Sequence, residues 1–280
     1  MEVVRSAAEL RELLEAERAA GHSIGLVPTM GALHEGHLSL LALARERTDV
    51  VVMSIFVNPL QFSAGEDFET YPRDEARDLA LARAEKTDVV FIPRLEEMYS
   101  EGDSTRVVVG ALAEILEGAE RPGHFDGVCT VVAKLFNLVG CDVAFFGQKD
   151  AQQVAVIRRM VADLRFPIEI VVGPIVREAD GLALSSRNAY LTAEQRDLAR
   201  ALHTALEAGK VAVESQRRIE DVEAKMMEVL SGVQGVEPGY ARAVDPDEFG
   251  APKPGRSILL AVSARVGRAR LIDNLMVYGE

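Results

Sequence analysis

The spacing of hydrophobic residues changes along the chain. Its first segment, Ser6–Ala20, has helical spacing, with Ser6 and Glu9 placed as a capping box and Gly21 after the end. Short runs rich in Val, Ile and Phe then alternate with amphipathic segments. The runs predict strands at Ile24–Val27, Val50–Val57, Val89–Ile92, Val107–Val109, Val143–Phe146 and Ile168–Val172, and the amphipathic segments predict helices at Ser39–Arg47, Arg73–Lys86, Ala111–Glu117, Val128–Val139 and Ala151–Leu164. Continuous apolar strands separated by helices predict a doubly wound α/β fold with a mostly parallel sheet.

The pattern changes again at about Val176. Two long amphipathic helices are followed by three strand-like runs, the last two forming a predicted hairpin that turns at Val266-Gly267-Arg268. The helices are predicted at Ala193–Glu214 and Ile219–Leu230, and the strands at Gly239–Val244, Ile258–Val266 and Ala269–Leu275. We therefore predict a doubly wound domain over residues 1–175 and a smaller α+β domain over residues 176–280.

Composition and charge narrow the possible partners. The chain has 280 residues, and 48% of them are hydrophobic, as in an ordinary globular protein. Its net charge of −13 disfavours binding to nucleic acid. A small anion can still be held by local cations and backbone N–H groups. Cys129 and Cys141 lack the spacing of a zinc site or a disulfide framework, as expected in a reducing compartment. The N-terminus does not resemble a signal peptide, and no apolar run reaches the ~18–20 residues of a membrane span. We expect a cytoplasmic protein.

The first chemical motif follows the first strand of the doubly wound part. It reads Pro28-Thr29-Met30-Gly31-Ala32-Leu33-His34-Glu35-Gly36-His37. His34 and His37 are three residues apart at a predicted helix start, where imidazoles and free N–H groups favour phosphate oxygens and a departing pyrophosphate. Gly36 would allow adenine or ribose close to the backbone. A lone pair of histidines is more often simply exposed to solvent, but the flanking glycines after a strand favour phosphate binding. The segment contains neither a G-x-G-x-x-G fingerprint nor a P-loop.

Two further motifs also follow predicted strands. In Phe56-Val57-Asn58-Pro59-Leu60-Gln61-Phe62, the neutral amides of Asn58 and Gln61 suit the orientation of a hydroxy acid, although Asn-Pro is also a common turn. In the segment from Phe145 to Gln153, Lys149 is placed to neutralise phosphate and Asp150 to accept from ribose hydroxyls. Taken alone, these last two residues would more often be a solvated lysine and a helix N-cap.

The fourth motif lies at the predicted domain junction. It runs from Arg177 to Asn188, and its Asp180-Gly181 dipeptide predicts a tight turn. Ser185, Ser186 and Arg187 would together form an anion cradle, because arginine binds phosphate through two parallel hydrogen bonds. The alternative is an ordinary Ser-Ser turn before a helix. The position at the junction suits a lid.

These four segments, in this order, resemble the pantothenate synthetase family, the pantoate–β-alanine ligases of the nucleotidyltransferase superfamily. The matching stretches run from Ile24 to Leu191, and the ending Ala269–Val277 is also similar. The resemblance rests on the combination of Pro-Thr-Met-Gly-Ala-Leu-His-Glu-Gly-His, Phe-Val-Asn-Pro, Gly-Gln-Lys-Asp and Leu-Ser-Ser-Arg-Asn.

The resemblance implies a Rossmann-like ATP-binding domain, a smaller C-terminal lid domain and a homodimer. It also implies a ligase of pantothenate and coenzyme A biosynthesis that forms a C–N bond. The carboxylate of (R)-pantoate attacks the α-phosphate of ATP, with Mg²⁺ as cofactor, to give pantoyl-adenylate and pyrophosphate. The amine of β-alanine then displaces AMP, and no covalent enzyme intermediate is needed.

The resemblance also implies residue roles. His34, His37, Lys149 and Arg187 would be catalytic, and Gln61 and Gln153 would bind pantoate. The amine site and a neighbouring loop would include Asn58, Tyr71, Arg121 and His124. The remaining ATP-binding residues would be Pro28, Thr29, Met30, Gly36, Gly147, Asp150, Val176, Leu184, Ser185 and Ser186.

Some questions stay open at this level. Position 151 is Ala where the family often has an aromatic residue, which would alter packing near Gln153. Asp74 and Asp78 either face phosphate-bound Mg²⁺ or favour a helix start, so no metal ligand is assigned. The alternatives are a nucleotidyltransferase that keeps the nucleotide on its product, and a non-catalytic nucleotide sensor. The paired amides favour the ligase, and the retained Lys149 and Arg187 argue against the sensor.

Overall fold

The larger sheet of the protein is parallel throughout. The structure is a computed structural model that describes residues 1–63 and 65–278. Its strands are β1 (Glu2–Val4), β2 (Ile24–Thr29), β3 (Val50–Ile55), β4 (Val89–Phe91), β5 (Val143–Gly147) and β6 (Glu169–Gly173). They lie in the order β1-β4-β3-β2-β5-β6, and all paired neighbours are parallel. The strand order reverses between β2 and β5, so their carboxyl ends form the switch point where α/β proteins bind ligands.

Helices connect these strands. They are α1 (Ala7–Ala19), α2 (Glu35–Arg47), α3 (Glu75–Ala84), α4 (Leu95–Met98), α5 (Glu117–Glu120), α6 (His124–Val139) and α7 (Ala151–Leu164). The predicted capping box of α1 is confirmed, because Glu9 N donates to Ser6 Oγ and Ser6 N donates to Glu9 Oε2. Leu41 of α2 and Met53 of β3 are fully buried in one apolar cluster. This packing holds α2, and the loop before it, against the sheet.

One predicted strand is absent from the described structure, and one edge strand was not predicted. Residues Val107–Val109 form no strand in the described structure, although the valines predicted one. Val107 N instead donates to the side chain of Thr130 on α6, and Val108 is 70% exposed. The edge strand β1 was not predicted, because three residues are too few to establish a periodicity.

Two helix predictions were also wrong in their continuity. The segment Ala111–Glu117 is a 3-10 helix (Gly110–Ala113) followed by α5, because Leu116 has φ of +46°, which an α-helix cannot contain. The helix predicted over Ala193–Glu214 is divided at Arg200, a turn residue between Ala193–Ala199 and Ala201–Glu214. Propensity alone does not reveal either interruption.

The C-terminal part is a smaller α+β unit, as predicted. Its elements are α8 (Ala193–Ala199), α9 (Ala201–Glu214), α10 (Ile219–Ser231), β7 (Val236–Val244), β8 (Ile258–Val266) and β9 (Ala269–Val277). The strands form an antiparallel sheet in the order β7-β8-β9. The β8–β9 hairpin turns at Gly267-Arg268, with φ of +58° at the glycine. Leu206, Met226 and Leu260 are fully buried in its core. The predicted fold class is confirmed.

The chain divides into two compact units. The first contains Met1–Gly147 and Val156–Gly173, and the second contains Gln148–Ala155 and Pro174–Glu280. The second unit thus includes the short segment that carries Lys149, Asp150 and Gln153, which was predicted to belong to the first domain. Over the residues described, no helix is long and apolar enough to span a bilayer.

Candidate active site

A buried carboxylate holds the loop that follows β2. Asp78 of α3 is 1% exposed, and its two oxygens accept from Ala32 N at 2.9 Å and from Leu33 N at 2.8 Å. Gly31 has φ of +81°, and a Cβ there would lie 2.9 Å from Asp78 Oδ2. Arg77 Nη1 donates to Leu33 O at 2.9 Å. Neighbouring residues of α3 therefore fix the course of the chain into α2.

The imidazoles of His34 and His37 cap the first turn of α2. His34 Nδ1 accepts from Gly36 N at 3.1 Å, and His37 Nδ1 accepts from His34 N at 3.3 Å. Because a backbone N–H can only donate, each neutral ring carries its proton on Nε2. The ring centroids are 4.1 Å apart. A Cβ on Gly36 would lie 2.9 Å from His34 Cε1, so glycine here accommodates the capping ring.

The other residues predicted for the nucleotide site in this unit lie at the switch point. Pro28 and Thr29 end β2, and Gly147 ends β5. Thr29 Oγ1 donates to Ser54 O at 2.7 Å and accepts from Gly31 N at 3.1 Å. These bonds join the end of β2 to β3 and to the loop that leads to the histidines.

Asn58 and Gln61 belong to one network and are 1% and 9% exposed. Asn58 Nδ2 donates to Gln61 Oε1 at 3.1 Å and to Gly127 O at 3.0 Å. Asn58 Oδ1 accepts from Tyr99 Oη at 2.7 Å and from Leu60 N at 3.3 Å. Both polar atoms of the Asn58 amide, Nδ2 and Oδ1, thus have hydrogen-bond partners within the protein. Tyr99 was not identified from the sequence.

His124 and Arg121 support the same segment. His124 Nδ1 donates to Gln61 O at 2.8 Å, and its Nε2 accepts from Arg121 Nη1 at 3.0 Å. Arg121 also forms a two-bond ion pair with Glu66, at 2.8 and 2.5 Å. Burial, and then the charge of Arg121, lower the pKa of His124 to about 4. His124 is therefore neutral at pH 7, with its proton on Nδ1.

Tyr71 lies among aromatic side chains. It is 6% exposed, and its ring packs edge-on against Phe62 with a centroid distance of 6.1 Å. Phe62 packs in the same way against Phe68 at 5.4 Å. The described contacts give Tyr71 a packing role, and its place in an amine site stays a prediction.

In the second unit, a strand residue holds the segment that carries Lys149. Asn274 of β9 is 3% exposed, and its Nδ2 donates to Gln148 O and to Lys149 O, each at 2.9 Å. Lys149 Nζ lies 3.8 Å from Asp150 Oδ1, and Gln153 lies in the first turn of α7. Asn274 was not identified from the sequence, although the segment containing it was noted as similar to the family.

A short hairpin precedes the serine and arginine motif. Leu184 N donates to Val176 O at 3.0 Å, which pairs two residues predicted for the nucleotide site. The predicted turn lies at Gly181, which has φ of +93° and would place a Cβ 2.3 Å from the ring of His203. Beyond the hairpin, Ser185 caps a 3-10 helix (Ser186–Tyr190) by accepting from Arg187 N at 3.3 Å. Ser185, Ser186 and Arg187 thus belong to one helix start.

A family model for pantoate–β-alanine ligases matches residues 2–276. The chain belongs to the pantoate–β-alanine ligase family. The pantothenate synthetases of Moorella thermoacetica and Caldicellulosiruptor bescii are 52% and 49% identical to this chain over 279 residues, which cover 99% of each chain. The crystal structure of the pantothenate synthetase from Thermus thermophilus is 48% identical with a TM-score of 0.93, covering 99% of this chain and 100% of that one. The predicted ligase class, which joins pantoate to β-alanine to form pantothenate, is confirmed.

A more distant family member has been solved with ligands. The pantoate–β-alanine ligase from Francisella tularensis, complexed with β-γ ATP and β-alanine, is 33% identical with a TM-score of 0.82. The alignment covers 99% of this chain and 97% of that one. It relates the whole of this ligase, and not one segment, to a protein that binds a nucleotide and an amine.

The described residues do not fit a metal site built by the protein itself. Among residues 1–63 and 65–278, no group of three or more His, Cys, Asp or Glu side chains is placed to hold an ion. Both oxygens of Asp78 accept from loop amides, and Asp74 Oδ1 caps α3 by accepting from Arg77 N at 3.1 Å. The two aspartates that the sequence left open thus have structural partners in this ligase.

Proposed function

We propose that this ligase uses ATP to activate pantoate as pantoyl-adenylate and then transfers the pantoyl group to β-alanine. A carboxylate oxygen of pantoate would bond to the α-phosphorus as pyrophosphate leaves. The amine nitrogen would then bond to the acyl carbon as AMP leaves with the bridging oxygen, and the amine would lose a proton. The observation that carries this proposal is the pair of Nε2–H donors of His34 and His37 beside the switch point. Such donors stabilise charge that grows on a departing phosphate.

The other residues have complementary roles in the proposal. Lys149 and Arg187 would neutralise the triphosphate, together with the hydroxyls of Ser185 and Ser186. Asp150 would accept from the ribose hydroxyls. Pantoate would be bound by the amides of Gln61 and Gln153, which leave its carboxylate nucleophilic because they carry no charge. The ligand complex of the Francisella tularensis relative supports ATP and β-alanine as substrates.

The state of the cysteines supports a free adenylate. Cys129 and Cys141 are buried, and burial raises the pKa of each thiol to about 12. A thiol with that pKa is protonated at pH 7 and is a poor nucleophile. Neither cysteine is therefore suited to carry the pantoyl group.

Mg²⁺, the homodimer and the lid also belong to the proposal. Mg²⁺ would enter with the phosphates of ATP, as it commonly does, and would supply charge neutralisation there. Light scattering is expected to give about twice the 30.4 kDa mass of one chain. Residues 176–280 would act as a lid, so ATP is expected to make the protein more compact in solution scattering.

The proposal is tested by isotope exchange. With labelled pyrophosphate, exchange into ATP is expected to require pantoate but no β-alanine, because adenylate formation stands alone. Exchange that needs the amine would replace this mechanism with a concerted one. Product analysis separates the alternatives: a nucleotidyltransferase would leave the nucleotide on its product, whereas a nucleotide sensor would show neither exchange nor pantothenate.

A further inference from the structure

The hydrogen bonds of Asn58 fix which way its amide faces. Leu60 N can only donate, so the atom that faces it is Oδ1, and Gly127 O can only accept, so the atom that faces it is Nδ2. Two backbone groups on opposite sides of the side chain therefore give the same orientation. Because Asn58 is 1% exposed, reversing the amide would leave buried polar atoms without partners.

The orientation of Asn58 determines that of Gln61. Asn58 Nδ2 can only donate, so the atom of Gln61 at 3.1 Å is its carbonyl Oε1. The Nε2 group of Gln61 then points the other way, where it lies 3.2 Å from Met30 Sδ. A thioether is a weak acceptor, so a substrate oxygen would be a better partner for this N–H group.

Tyr99 completes the network from the opposite side. Its hydroxyl lies 2.7 Å from Asn58 Oδ1, which can only accept, so Tyr99 is the donor. The ring is held by Phe56, at a centroid distance of 6.2 Å, and by Lys134 Nζ, 5.0 Å from the ring centroid. Burial raises the pKa of Tyr99, so the hydroxyl keeps its proton across the range in which enzymes are assayed.

We propose that Tyr99 is a positioning residue of the substrate site. Together with Leu60 N and Gly127 O, its hydroxyl holds the amide of Asn58 in place. Asn58 in turn sets Gln61 to present an N–H donor, and not its carbonyl, to an acceptor oxygen of pantoate. The inference rests on the proposed function, because it takes Gln61 as the contact to pantoate. It also gives Asn58 a positioning role in place of a contact to the amine.

The first test distinguishes a specific effect on pantoate binding from a general effect on ATP binding or stability. Tyr99→Phe keeps the ring and removes the donor, and is expected to raise KM for pantoate about tenfold, in line with the loss of one partly buried hydrogen bond. KM for ATP and the melting temperature are expected to change little. Tyr278→Phe, at an exposed tyrosine, is the matched control and should leave both constants unchanged. A tenfold rise in both constants, or in neither, would contradict the inference.

A double mutant tests whether Tyr99 acts through Gln61. Gln61→Ala should raise KM for pantoate, and adding Tyr99→Phe should raise it no further, because non-additive effects mark residues of one network. If the two substitutions raised KM for pantoate independently, so that their effects multiplied in the double mutant, the inference would be overturned. As a second variant, Asn58→Asp should raise KM for pantoate at least as much as Tyr99→Phe, because a carboxylate cannot donate to Gln61 Oε1; an unchanged KM would also overturn it. If the unmodified protein shows no pantoate-dependent exchange, the proposed function fails and this inference fails with it.

Discussion

Arg177 and Asp273 form a two-bond ion pair in the second unit. Arg177 Nη1 donates to Asp273 Oδ2 at 2.6 Å, and Nη2 donates to Oδ1 at 2.9 Å. The side chains are 19% and 3% exposed. Arg177 Nη1 also donates to Gly181 O at 3.0 Å, so the pair joins β9 to the hairpin that precedes Ser185. It holds in place a segment that the proposed mechanism uses at the phosphates.

Removing the acidic partner of this pair is expected to destabilise the protein. Asp273→Ala would leave the guanidinium of Arg177 without its counter-charge, which costs up to about 3–5 kcal/mol when such a pair is buried. Thermal unfolding should show a clear fall in the melting temperature. The control is Glu169→Ala, because Glu169 pairs with Arg47 at the surface, with side chains 57% and 44% exposed. Glu169→Ala should lower the free energy of unfolding by no more than about 1 kcal/mol. An equal loss of stability in both variants would contradict the prediction.

Replacing His34 with asparagine should separate its capping role from its catalytic role. Asparagine caps helices well and would still accept from Gly36 N, but it offers no donor at the position of Nε2. His34→Asn is therefore expected to keep its melting temperature while the rate of pantothenate formation falls by about 10²–10³. His37→Asn should lose rate in the same way.

The alanine variant provides the comparison for the histidine prediction. His34→Ala removes the cap as well as the donor, and loss of a cap costs about 0.5–2 kcal/mol. It should therefore lose stability in addition to activity. Near-normal turnover of His34→Asn at saturating substrate would remove Nε2 from the mechanism.

The sequence predicted the site segments better than it predicted their supports. His34, Asn58 and Lys149 were identified because they follow strands, and parallel strands bring their carboxyl ends to one edge of a sheet. Their partners lie far away in the sequence: Asp78 is 46 residues from Ala32, Tyr99 is 41 from Asn58, and Asn274 is 125 from Lys149. No local pattern specifies which distant side chain faces a loop.

His124 predicts a loss of stability in acid. Its pKa is about 4 in the folded protein, below the usual 6.5, so the unfolded chain binds a proton that the folded protein does not. The contribution of neutral His124 to the free energy of unfolding is complete above pH 6.5 and is lost as the pH falls towards 4. The loss is about 1.4 kcal/mol per pH unit and roughly 3 kcal/mol in total. Denaturant midpoints at pH 7 and pH 5 should therefore differ less for His124→Asn, which cannot be protonated. An equal difference in both proteins would contradict the prediction.

Asp78 provides a test between a metal ligand and a structural anchor. Asp78→Asn would replace one carboxylate oxygen with an NH2 group that cannot accept from a loop amide, so the loop before His34 should loosen and stability should fall by about 1–3 kcal/mol. KM for ATP is expected to rise, but the Mg²⁺ concentration that gives half-maximal activity should stay unchanged, because neither oxygen of Asp78 is assigned to the ion. Asp74→Asn is the control, since asparagine caps a helix as well as aspartate does. A large shift in the Mg²⁺ dependence of Asp78→Asn alone would instead make this carboxylate a metal ligand, and the loop would then owe its shape to the ion as well as to Asp78.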